Sequence, residues 1–111
     1  MHTAIIDDAA VDRKELAGYL VRWGEENGTP VMVECFENGE RFLKTFTAGE
    51  WDVIFLDVFL AGMDGMETAR RIRAIDEDCR LIFSTATEEF AVESYEVASS
   101  WYLVKPYGYE K

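Results

Sequence analysis

The sequence predicts an α/β domain: a doubly wound, five-stranded parallel sheet with helices on both faces. Two observations carry this reading. Short apolar runs alternate with amphipathic stretches along all 111 residues, the pattern of strands joined by helical crossovers. One of the runs, Val53-Ile54-Phe55-Leu56, is apolar without interruption, as a strand covered on both faces must be.

Taken in order, Thr3-Ala4-Ile5-Ile6 is the first strand and ends at Asp7-Asp8. Residues from about Val11 to Asn27 follow as a helix, with Leu16, Ala17, Leu20, Val21 and Gly24 on one face and Arg13, Lys14, Arg22 and Glu25 able to stay in water. Gly28 terminates it and Pro30 follows. Val31 to Phe36 is the second strand, and the charge of Glu34 within it points to the sheet edge. Asn38-Gly39 turns the chain into a short helix where Phe42, Leu43 and Phe46 share a face. The third strand, Val53 to Leu56, ends at Asp57. A loop with Gly62 and Gly65 leads into a helix carrying Met66, Ala69, Ile72 and Ile75 on one side. Leu81-Ile82-Phe83 is the fourth strand, ending at Ser84-Thr85. Glu88 to Val97 reads as a further helix, and Tyr102-Leu103-Val104 as a fifth strand ending at Lys105-Pro106.

Length and composition fit one domain, residues 1–111, able to bury a core without covalent staples. Hydrophobic residues make up 49% and charged residues 30%, a globular balance. The net charge of −11 disfavours nucleic acid and anionic membrane surfaces, whose phosphates it would repel. No apolar run reaches membrane-spanning length, and the start carries neither a basic segment nor a cleavage site. A cytoplasmic location is therefore expected. Cys35 and Cys79 lack metal-ligand spacing, and the apolar neighbours of Cys35 suggest a buried thiol. His2 is expected in solvent, while Trp23, Trp51 and Trp101 are expected to serve packing or partner contacts.

In open parallel sheets, ligands bind beyond the carboxyl ends of the strands. Those ends carry Asp7-Asp8, Asp57, Thr85 and Lys105. Each alone has an ordinary explanation: an acidic pair caps a helix, a threonine suits a strand, a lysine points to water. Together after four of the five strands they form a constellation. Two carboxylates ~5 Å apart repel by about 3 kcal/mol at an effective dielectric near 20, so three such pairs would cost on the order of 10 kcal/mol. A divalent cation relieves this, and carboxylates with a backbone oxygen and water suit Mg²⁺. With Lys105 adding one more positive charge, the site is expected to be close to neutral and able to receive a phosphoryl group. Asp57, closing the most apolar strand, is the candidate nucleophile.

Five segments in order, Ile5-Ile6-Asp7-Asp8, Phe55-Leu56-Asp57, Leu60-Ala61-Gly62-Met63-Asp64-Gly65, Phe83-Ser84-Thr85-Ala86 and Tyr102-Leu103-Val104-Lys105-Pro106, resemble the receiver domains of bacterial two-component response regulators over essentially the whole chain. The resemblance implies the flavodoxin-like sheet order 2-1-3-4-5. It implies Asp57 as phosphoacceptor, Asp8 as a direct Mg²⁺ ligand, Asp7 as a ligand through water, and the main-chain carbonyl of Phe59 as another. Lys105 would hold the phosphoryl oxygens, with a cis peptide before Pro106. Thr85 would hydrogen-bond the phosphoryl group and Tyr102 would turn inward, the pair acting as a switch between two existing states. A sensor histidine kinase is implied as donor and an output domain as target. The segment Glu88 to Val97, running on to Tyr102, resembles receivers joined to LytTR-type DNA-binding domains, although it reads equally as a generic amphipathic helix.

Three departures from the family pattern stand out. Ala61 replaces the usual proline. Phe59, two residues after the acceptor, is bulky and is expected to shield the phosphoryl group from water. Only Tyr107 to Lys111 follow Pro106, so the family's fifth helix is expected to be largely missing through C-terminal truncation, with reduced stability or self-association as a homodimer. Three rival readings remain: a pseudo-receiver serving as an interaction module, an aspartate-nucleophile phosphohydrolase, and a flavin carrier. The phosphohydrolases that place a second Asp two residues on would need it where Phe59 stands. A flavin phosphate would be repelled by Asp7-Asp8.

Overall fold

A computed structural model describes residues 1–60 and 62–105. Five strands, β1 (His2–Ile6), β2 (Met32–Phe36), β3 (Val53–Leu56), β4 (Arg80–Thr85) and β5 (Trp101–Val104), form one sheet in the order β2-β1-β3-β4-β5. All four pairings are parallel. Among the described residues three α-helices intervene: α1 (Ala10–Asn27), α2 (Gly39–Lys44) and α3 (Gly65–Ile75). The predicted fold class and strand order both hold, and β2 with its Glu34 lies at an edge.

The helix ends follow local chemistry. The Asn38 side chain accepts from the Arg41 amide to start α2, and Asp64 accepts from the Glu67 amide to start α3. α1 stops at Gly28, which adopts φ 64° and returns its N–H to the Gly24 carbonyl. The larger core layer sets Ile6, Leu56 and Phe83 against Phe42, Met66 and Ile72. The second layer is thinner: Ile5, Val53 and Phe55 meet Leu16, with Leu20 and Leu103 half-buried. Among the described residues α1 is the single helix on that face, and the predicted apolar face is only partly covered. Leu16 and Gly24 are buried, whereas Val21 is 46% exposed.

Three expectations are corrected. The helix over Glu88 to Val97 is instead a series of turns ending in a short 3₁₀ helix, Glu93–Val97. Glu89 and Glu93 repel at i,i+4 spacing, and the Ser94 hydroxyl bonds back to the Ala91 carbonyl at 2.6 Å, which competes with α-helical pairing. Cys35 is exposed, because β2 is an edge strand that its neighbours cover incompletely. His2 is half-buried rather than free in solvent: its ring stacks on Trp51 at 3.7 Å. The Trp51 ring itself lies in the core, while Trp23 and Trp101 are exposed. Ala61, the Lys105–Pro106 peptide geometry and the segment Tyr107 to Lys111 lie outside the described residues.

Candidate phosphoacceptor site

Strand register builds the site. Ile6 pairs with both Phe36 and Leu56, so the next residues, Asp7 and Asp57, emerge side by side. Their amides continue the ladder, Asp7 to the Phe36 carbonyl at 3.1 Å and Asp57 to the Ile6 carbonyl at 3.0 Å. On the far side, Lys105 donates its amide to the Thr85 carbonyl at 2.7 Å. Its ammonium therefore returns over the strand ends. Gly65 closes the loop after Asp57, its amide bonding the Val58 carbonyl at 2.8 Å. A Cβ at Gly65 would collide with the Asp57 carbonyl and with Val58.

The Lys105 ammonium spends its three donors on three carboxylates: Asp7 Oδ2 at 2.7 Å, Asp12 Oδ2 at 2.9 Å and Asp57 Oδ2 at 3.0 Å. Burial alone would lower its pKa; the bonds to Asp7, Asp12 and Asp57, with the charge of Asp57, more than reverse this and push it above the ordinary lysine range. Asp57 Oδ1 accepts the Phe59 amide at 3.0 Å, and Asp7 Oδ1 accepts the Ala9 amide at 2.9 Å. Asp7 and Asp57 are buried and Asp8 is exposed, and one carboxylate oxygen from each lies within 4.8 Å of the others. This all-oxygen donor set suits a hard divalent cation, so the acidic pocket could bind a metal.

Asp7, Asp8, Asp57 and Lys105 are thus brought together. Thr85 is fully buried beside them in the ladder, and its hydroxyl has no partner among the described residues. Tyr102 lies half-buried against Phe83, and its hydroxyl donates to the Thr87 carbonyl at 2.6 Å. Phe59 is 54% exposed and meets Phe90 edge-on at 6.1 Å.

Residues 3–111 match the family model described as the response regulator receiver domain. The chain belongs to that family.

Among relatives of this receiver domain, the sensory transduction protein LytT of Oceanobacillus iheyensis is 34% identical over 113 residues, covering 100% of this chain and 44% of LytT. The positive alginate biosynthesis regulatory protein of Pseudomonas aeruginosa is 34% identical over 106 residues, 96% of this chain and 42% of its own length. The receiver thus spans less than half of these curated relatives. Among solved structures, the response regulator TrrA of Thermotoga maritima in complex with Mg²⁺-BeF superposes with a TM-score of 0.84 at 28% identity, over 98% of this chain and 90% of that one. The response regulatory domain of mrkE from Klebsiella pneumoniae gives 0.82 at 26% identity, over 99% and 87%. Among the described residues, no helix is long and apolar enough to cross a membrane.

Sequence reasoning about this receiver missed Asp12. It stands in the first turn of α1, where an acidic residue reads as a partner of the helix dipole. The available signal was topological: the N-terminus of α1 starts beside the strand ends, so a first-turn carboxylate can face Lys105. Arg13, expected in water, also faces the site, its guanidinium donating to the Asp7 carbonyl at 2.7 Å. Four carboxylates against Lys105 and Arg13 leave two negative charges, which a divalent ion would balance.

Proposed function

We propose that this receiver, acting as one unit over residues 1–111, takes a phosphoryl group from a sensor histidine kinase onto Asp57. The observation that supports this most directly is the Lys105 ammonium 3.0 Å from the Asp57 carboxylate, beside the Asp7, Asp8 and Asp57 oxygen cluster. Mg²⁺ would be held by Asp8, Asp57 and the Phe59 carbonyl, with Asp7 acting through water; when bound, such an ion offsets negative charge and orients phosphoryl oxygens. A carboxylate nucleophile needs no general base. As a bond forms between an Asp57 oxygen and phosphorus, the P–N bond of the donor phosphohistidine breaks, and its electron pair leaves on the imidazole nitrogen. Lys105 receives the phosphoryl oxygens as a fixed cation. The buried Thr85 hydroxyl, unpartnered among the described residues, would gain the acceptor it lacks; leaving it unsatisfied costs about 1–3 kcal/mol.

That bond would draw on the end of β4, and Tyr102 on the neighbouring strand ties β5 to the Thr87 carbonyl. Thr85 and Tyr102 thereby link the site to the Thr87–Val97 surface, the route by which phosphorylation would control an output domain, with a LytTR-type DNA-binding domain the favoured class. The greater length of the curated relatives supports such a domain.

Incubation with acetyl phosphate and Mg²⁺, followed by intact-mass analysis, tests the reading. The wild type should gain one phosphoryl group and Asp57→Asn none. An unchanged wild-type mass would leave an interaction module, and phosphate release over many cycles would indicate a hydrolase.

A further inference from the structure

We propose that Asp12 is a positioning residue that holds Lys105 back from the phosphoryl group, and so sets how readily the acceptor site is filled. This rests on the phosphoacceptor reading of Asp57. An ammonium has three donors, and in this structure Asp7, Asp12 and Asp57 take all three. A phosphoryl oxygen can therefore reach Lys105 only by displacing one carboxylate. Asp7 and Asp57 share the oxygen cluster suited to a cation, and their side chains are 6% and 9% exposed. Asp12 lies outside that cluster and is 39% exposed. It can return to water at the least desolvation cost and, unlike Asp57, does not itself become part of the acyl phosphate, so it is the carboxylate that competes with the phosphoryl oxygens for Lys105.

Charge points the same way. Asp12 adds a fourth negative charge beside the three carboxylates of the oxygen cluster. It should favour the cation and disfavour the incoming phosphoryl group. A role limited to the α1 dipole would instead change stability alone. The α1 N-cap, Ala9, makes no side-chain cap bond, so Asp12 contributes to the helix start as well, and the two roles must be separated by measurement.

Calorimetric titration of the full chain with Mg²⁺ alone, then with beryllofluoride at saturating Mg²⁺, does this. Asp12→Asn should bind beryllofluoride roughly threefold to tenfold more tightly than wild type, with Mg²⁺ binding weakened. Both differences should shrink at high salt, because the Asp12 side chain is partly exposed. Asp12→Glu, which keeps the charge, should stay near wild type. Asp12→Ser keeps a polar side chain in the first turn and should reproduce Asp12→Asn if the latter folds poorly. Unchanged or weaker beryllofluoride binding in both Asn and Ser variants, alongside a wild type that binds it, overturns the proposal while leaving the phosphoacceptor reading intact. A wild type that takes up no beryllofluoride overturns both.

Discussion

Phe59 meets the candidate acceptor Asp57 through its amide, and its ring is 54% exposed. The N–H bonds Asp57 Oδ1 at 3.0 Å while the ring leans on Phe90. Phe59→Asn removes the edge-to-face contact with Phe90 and, on the shielding expectation, opens a path for water. On that expectation the phosphorylated Phe59→Asn variant should lose its phosphoryl group about fivefold faster than wild type, the change that a barrier lower by about 1 kcal/mol would give. Phosphoprotein decay followed by intact mass checks it; equal or slower decay would refute shielding. At this scale, Asp7, Asp8, Asp57, Thr85 and Lys105 were legible because each follows an apolar run, and run ends map to one rim of a parallel sheet. Asp12 was not legible, because its role depends on where a helix starts in space. Nor were the contacts of Asp76, whose carboxylate collects the amides of Gly49, Asp78 and Cys79. The Gly49 bond comes from a residue distant in the chain, and these bonds hold its pKa below the usual carboxylate range.

The segment between β4 and β5 shows where local patterning loses its force. Strands were readable because uninterrupted β-rich runs leave few alternatives. Glu88 to Val97 offers repelling glutamates and a back-bonding serine, so tertiary contacts decide its shape. The deciding contact is Arg73 of α3, whose guanidinium donates to the Val97 carbonyl at 2.7 Å and the Ala98 carbonyl at 3.1 Å. Ala98 there takes φ 51°, the left-handed region, which costs a non-glycine residue roughly 1–2 kcal/mol. Ala98→Gly relieves this strain but loosens the unfolded chain. A net gain of about 0.5–1 kcal/mol is expected, read as a higher denaturant midpoint at unchanged slope; a loss would show that the Ala98 methyl packs usefully.

Across the whole molecule, the end of the sheet opposite the acceptor carries its own electrostatic tie. His2 Nδ1 faces the Glu50 carbonyl at 2.9 Å and Nε2 faces the Glu34 carboxylate at 3.1 Å, joining β1 to its two flanking segments. Both partners are acceptors, so the doubly protonated ring satisfies both. The bond to the Glu50 carbonyl is the largest influence and raises the imidazole pKa above its ordinary 6.5; burial, next in size, opposes it, and Glu34 adds a further upward push. A pKa raised by folding contributes stability that is complete below pH 6.5 and is lost as pH rises through the folded value. Melting temperature should therefore fall slightly from pH 6 to pH 8, by the equivalent of less than about 1 kcal/mol for so open a pair. His2→Gln should flatten that slope; an unchanged slope would place its origin elsewhere. The seating of Asp7 and Asp57 on β1 and β3 has a further meaning. Interior strands exchange their amides only when the entire domain opens, whereas turns such as those after Thr87, tied to α3 through Arg73, open at smaller cost. The carboxylate proposed as nucleophile thus sits in the part of the molecule slowest to melt, while the proposed route to an output domain runs through the turns between β4 and β5.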